Sequence, residues 1–144
     1  MTDSMSRAFL TAGPAAAIAA IGFLTIAMFQ AALAFGAPLG RAAWGGVHDG
    51  QLPTGFRVAS AFAVLVWALA ALTVLGRAGF EITPLSPGFL QVGTWVLVGV
   101  LLVGALMNVA SSSPWERYMW APFTLTLALL CLAVARSSSV SSAG

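Results

Sequence analysis

The chain has no lysine, a single histidine, a single cysteine and a single tyrosine, and only six basic and four acidic residues among 144. Each shortage excludes a class of protein. Without an ε-amine there is no site for a Schiff-base cofactor such as retinal or pyridoxal phosphate. Cys131 alone leaves no internal disulfide and no C-x-x-C redox pair. His48 alone excludes a bis-His haem or a multi-His zinc site within one chain. Charged residues make up 7% of the sequence, against roughly 25% in an average globular protein. So few charges cannot supply the polar skin of a water-soluble fold. Soluble enzymes, nucleic-acid-binding domains and disordered chains are excluded on that ground. The net charge of +2 rests on scattered arginines, and no polybasic lipid-binding patch is present.

What the sequence has in quantity is apolar surface: 60% hydrophobic residues and a mean hydropathy of +0.97. An integral membrane protein is the class that remains. A helix crosses the hydrocarbon core with about 20 apolar residues. Four uncharged stretches meet that length, at about 9–35, 58–76, 92–110 and 118–135. Together they account for roughly 80 residues, leaving two tails and three connections and no room for a soluble domain. The expectation is all-α: a single domain over 1–144, a multi-pass, up-down bundle of four transmembrane helices. Pro14, after Gly13, sets the start of the first regular helix either there or at Phe9. Arg7, a long apolar run and Ala32-Leu33-Ala34 imitate a cleavable signal peptide. The run exceeds the roughly 7–15 residues of a signal core, so the first span is expected to stay as an anchor. Alanine and glycine recur along the spans, which permits close helix packing.

Orientation is not readable from the arginines. Arg7, Arg77 and Arg136 fall on the side of the termini, and Arg41, Arg57 and Arg117 on the side of the first and third connections. The positive-inside rule is therefore balanced, and the expectation of cytoplasmic termini in a bacterial cytoplasmic (inner) membrane rests on what is usual for small bacterial membrane proteins.

The uncommon residues are unevenly placed. Gln30 ends the first span, Asn108 ends the third, Arg57 and Ser60 open the second, and Thr124 follows the start of the fourth. All lie towards the side of the first and third connections, the loop face. A carboxamide in hydrocarbon is costly unless paired, so Gln30 and Asn108 are expected to share a hydrogen-bonded layer inside the bundle. The two loop-face connections both read P-x-x-R-x-x-W, from Pro38 to Trp44 and from Pro114 to Trp120, which suggests either a duplicated hairpin or coincidence at an interface that favours Trp and Arg. The glycines of Trp44-Gly45-Gly46 and His48-Asp49-Gly50 allow the long first connection to fold back as a lid. His48 reads as part of a solvated turn or as a ligand at the mouth. Arg57 either snorkels to head groups or pairs with Glu116, which itself has Arg117 as a local partner. Trp44, Trp115, Tyr118 and Trp120 read as an interfacial aromatic belt, with an aromatic-lined pocket as the alternative. Trp67 and Trp95 read as packing residues.

These residues supply no nucleophile motif, metal-ligand spacing or phosphate loop, so a non-enzyme without cofactor or metal is expected. Four-helix drug exporters of the small multidrug resistance type are comparable in size, but their first span carries a glutamate where this one offers only Gln30. Trp44-Gly45-Gly46, Arg57 and the segment from Asn108 to Trp120-Ala121-Pro122 sit in a layout that resembles the uncharacterised small four-span bacterial integral membrane proteins, and that resemblance implies no activity. The function expected is an accessory or assembly subunit, or a small-ligand binder with a polar mouth on the loop face. A small oligomeric transporter or channel without an intramembrane carboxylate is the alternative. The candidate binding residues are Gln30, Trp44, His48, Arg57, Asn108, Glu116, Arg117 and Trp120. The partners expected are the lipid bilayer and either a larger membrane complex or further copies of the chain, with no nucleic acid.

Overall fold

The computed structural model describes residues 2–137, with side chains from Ala12 onward. Arg7, which enters the arginine balance above, has its side chain outside the described residues. The chain forms four long helices: α1 (Thr2–Ala34), α2 (Thr54–Arg77), α3 (Pro87–Ala110) and α4 (Ala121–Ser137). A π-helical turn over Glu116–Trp120 runs directly into α4. There is no strand among the described residues. Each helix is long and apolar enough to cross a membrane, over Ala12–Ala34, Thr54–Arg77, Pro87–Ala110 and Glu116–Ser137.

The helix ends follow local chemistry. Ser86 caps α3, its hydroxyl accepting the Phe89 N–H at 3.3 Å, and Pro87 takes the first helical position, where its missing N–H is not needed. Pro14 does not start α1; the helix passes through it. The ring is exposed and removes a single backbone bond, which the turns on either side tolerate in an apolar helix. Pro122 acts more strongly. It lies two residues beyond the π turn, and widening that turn relieves the clash of its ring with the preceding carbonyls.

The four helices enclose a core of small side chains. α1 packs against α2 and α4, α3 packs against α4, and α2 meets α3 more loosely, with α1 and α3 on a diagonal. Ala16, Ala19, Ala20, Phe23 and Ile26 form the buried stripe of α1, recurring at three- and four-residue intervals. They meet Ala70, Ala71 and Val74 of α2 and Leu127, Ala128, Cys131 and Val134 of α4. Gly22 gives α4 a close approach to α1: a Cβ there would lie 2.5 Å from Leu127 Cδ2. Thr73 and Thr94, also buried, satisfy their hydroxyls on the carbonyls one turn back, Leu69 O at 2.8 Å and Leu90 O at 2.7 Å. The outward faces are apolar too. Ile21, Phe62, Leu65, Val92 and Val103 are all exposed, as expected of helices whose outer solvent is lipid. The packed core occupies the half of the bundle nearer the termini and the middle; the loop-face half is built differently.

Candidate functional site: a lidded cavity at the loop face

The connection between α1 and α2 closes the loop-face end. Two short 3₁₀ turns, Gly40–Ala42 and Trp44–Gly46, fold it back over the bundle. Its own strap is the Gly40 N–H donating to Gly50 O at 2.9 Å. Leu33, Ala43 and Leu52 are buried together with Phe29 and Phe56 packed against them, a satellite core beneath the lid. Five bonds tie the lid to other elements, one of them from Ser112 Oγ to Gly45 O at 3.4 Å. Ser113 Oγ donates to Arg41 O at 2.7 Å, and Trp120 Nε1 donates to Ala42 O at 2.9 Å. Gly45 N–H donates to Glu116 Oε1 at 2.9 Å, and Trp44 Nε1 donates to the fully buried Ser60 Oγ at 3.2 Å. Gly46 makes the close seating feasible: its φ is +68°, and a Cβ would sit 2.7 Å from Ser113 Cβ. Trp44 itself holds φ at 52°, a left-handed conformation that carries strain for a non-glycine residue.

Beneath the lid lies a cavity of about 420 Å³. Ile26, Phe29 and Gln30 of α1 form one wall and Trp67 of α2 another. Val100, Leu101, Gly104, Met107 and Asn108 of α3 line it where α2 and α3 part. Glu116, Trp120 and Thr124 complete it from the fourth span, and Ala42, Ala43 and Trp44 cover it. The aromatic walls are braced: Trp67 stacks on Phe23 at 5.7 Å and Trp120 leans on Phe29 at 4.9 Å. Both bonded indole N–H groups, of Trp44 and Trp120, point into the protein framework, leaving ring surface for the cavity.

The polar groups are few. Asn108 Nδ2 donates to Thr124 Oγ1 at 3.3 Å, and Thr124 Oγ1 donates to Trp120 O at 2.7 Å. Gln30 Oε1 is buried with no hydrogen-bond partner. The shared Gln30–Asn108 layer expected from sequence is therefore not formed, because α1 and α3 stand on a diagonal and each amide faces the cavity rather than the other helix. Glu116 is 8% exposed. Its carboxylate accepts from Gly45 N–H and from the Ser111 hydroxyl.

The structure brings five of the eight candidate residues, Gln30, Trp44, Asn108, Glu116 and Trp120, to one cavity and places three elsewhere. Arg57 does not pair with Glu116; its Nε donates to Ala34 O at 3.0 Å, capping the carbonyl end of α1, where a cation is favoured. Arg117 also leaves Glu116 alone, donating to Ser111 O at 2.7 Å. His48 packs on Phe56 with centroids 5.0 Å apart, outside the cavity wall, and Asp49 turns away from it to the ion pair with Arg41. That Arg41 bond holds the Asp49 carboxyl below its ordinary value. Trp115 and Tyr118 are 55% and 75% exposed, whereas the N–H groups of Trp44 and Trp120 are satisfied internally. The two P-x-x-R-x-x-W segments adopt different backbones, one a pair of 3₁₀ turns and the other a helical turn leading into α4. Among the described residues, no three of His, Cys, Asp and Glu come together as a metal site would need.

Sequence reasoning missed Phe29, Gly104 and Met107 and assigned Trp67 to packing alone. A usable signal existed in the four-residue spacing of Glu116, Trp120 and Thr124, which aligns them on one helix face. The bounds used for the fourth span began two residues too late to include Glu116. No protein-family model, curated protein or solved structure matches this chain.

Proposed function

We propose that this membrane protein is a non-catalytic binder of a small, largely apolar molecule, held in the cavity beneath the 36–53 lid. The observation that carries the reading is the cavity itself. Its volume of about 420 Å³ falls within the roughly 300–1,000 Å³ of small-molecule sites, which are mostly apolar with a few placed polar groups. The unpartnered Gln30 Oε1 is a polar valence that a bound molecule would fill. The hydroxyls nearby are committed within the framework, Ser111 to Glu116 and Ser113 to Arg41 O. We further propose that the protein resides in the bacterial cytoplasmic membrane with both termini cytoplasmic.

The test is gentle purification from native membrane followed by native mass spectrometry. The wild-type protein is expected to carry one small molecule per chain. Gln30→Leu and Asn108→Leu are expected to lose it while remaining folded, and Arg57→Gln, whose guanidinium serves α1, to keep it. Retention by both amide variants would overturn the cavity as the site. Co-isolation with a larger complex and no bound molecule would favour an accessory subunit instead, and solute flux in proteoliposomes would favour a transporter.

A further inference from the structure

We infer that the ligand of this cavity is an organic cation, an ammonium group carrying apolar or aromatic substituents. The inference deepens the binding function proposed above and rests on it. It follows from which polar valences the cavity has left open.

Glu116 is the only acid on the cavity wall, and it is buried. Buried carboxylates are normally paired with a cation. The three arginines of the loop-face segments are all committed elsewhere, Arg41 to Asp49, Arg57 to Ala34 O and Arg117 to Ser111 O. Two neutral donors, Gly45 N–H and the Ser111 hydroxyl, occupy part of the Glu116 carboxylate. A carboxylate offers about four acceptor positions, so capacity remains. Gln30 adds a second open acceptor, the buried Oε1. Of the donors that line the same space, the Trp44 and Trp120 indole N–H groups reach the framework and Asn108 Nδ2 reaches Thr124. The open acceptors attract positive charge or a donor, and the Glu116 carboxylate repels an anion.

The apolar walls select the same chemistry. Phe29, Trp44, Trp67 and Trp120 surround the space, and an aromatic face attracts a cation within about 6 Å of its centroid, most strongly when water is excluded. With their N–H groups bonded to the framework, Trp44 and Trp120 offer ring faces and edges. A carboxylate and a carboxamide oxygen among aromatic rings complement an alkylated ammonium. A neutral amphiphile would leave the Glu116 charge uncompensated. An anionic head group would bring like charge against it, with no arginine on the wall to offset that.

The experiment uses two probes of the same shape that differ in charge: benzyltrimethylammonium, permanently cationic, and neopentylbenzene, its neutral carbon isostere. Binding to the full chain in mild detergent is read by intrinsic tryptophan fluorescence, with concentrations corrected for partition into micelles. The cation is expected to bind at least tenfold more tightly than the isostere. Glu116→Gln, which keeps an acceptor for Gly45, is expected to bring the two affinities together. If the isostere binds as tightly as the cation or more so, the cation inference is overturned while the cavity remains a binding site. If neither probe binds the wild-type protein, the binding function fails and the inference with it. The wild-type affinity ratio decides the matter even if Glu116→Gln does not fold.

Discussion

Glu116, at the start of the fourth span, accepts the backbone N–H of Gly45 at 2.9 Å across 71 residues of sequence. One carboxylate thereby holds the lid and faces the cavity that the lid covers. The contact needs no ion pair. It matches an acceptor with spare lone pairs to a backbone donor that would otherwise be stranded where the chain turns through Gly45 and Gly46, both at positive φ. The acceptor positions that Gly45 and Ser111 leave unused remain for a bound group, so occupancy and closure of this site share one carboxylate.

Removing that group should loosen the lid without melting the bundle. A hydrogen bond to a charged group contributes about 1.5–3 kcal/mol, and Glu116→Ala deletes two. Hydrogen–deuterium exchange at residues 44–46 is expected to rise at least tenfold, while exchange in the Ala16–Ile26 stretch of α1 stays unchanged. Unaltered exchange at 44–46 would show that the lid is held by its other contacts.

Gly46 and Gly50 give a matched comparison. Both hold positive φ, +68° and +74°, but a Cβ at Gly46 meets Ser113 whereas one at Gly50 meets nothing within 4 Å. An alanine in left-handed backbone costs about 1–2 kcal/mol. Gly50→Ala should lose that much, and Gly46→Ala more, because the lid must also lift from the connection at 111–114. Equal thermal shifts for the two variants would contradict the close seating of Gly46 on Ser113.

Acid should loosen the lid through Asp49. Its carboxyl is held below the ordinary value by the Arg41 hydrogen bond, so the contribution is present above the unfolded carboxylate pKa of about 3.9 and is lost as pH falls through the lower folded value. Both side chains are exposed, so the effect should be small and should weaken with salt. Lid exchange in the wild type is expected to rise below about pH 4, and Asp49→Asn to flatten that component. Identical profiles for the two proteins would remove the ion pair from the account.

Topology is open to a direct test. Reporter fusions at Asp49 and Ser112 are expected to give one sign and a fusion at Ile82 the other, because α2 and α3 each cross once between them. Agreement of Ile82 with Asp49 would break the four-span arrangement. The sign itself assigns the orientation that the balanced arginines leave open.

The four helices were legible in the sequence because the bilayer imposes one crude requirement, about 20 apolar residues per crossing, and four uncharged runs meet it. The loop-face bias of polar residues was legible for a related reason: groups such as Gln30 and Asn108 are expensive in hydrocarbon and stand out against it. The glycines of the first connection likewise announced a folded loop. Partner choice was hidden. Asn108 bonds to Thr124 rather than to Gln30 because α3 lies beside α4 and diagonal to α1, and helix adjacency is set by small-residue contacts such as Gly22 on Leu127, which an alanine-rich sequence could make in several ways. Arg57 reads equally as a snorkelling residue or as a partner for Glu116 until the end of α1 is seen to lie beside it. Trp44 and Trp120 carry the composition of an interfacial belt, and only the fold turns their N–H groups inward. Hydropathy is a property of each residue and survives in the linear chain. Which open valence meets which depends on how four nearly featureless helices are arranged around one another, and for that the tertiary structure decides.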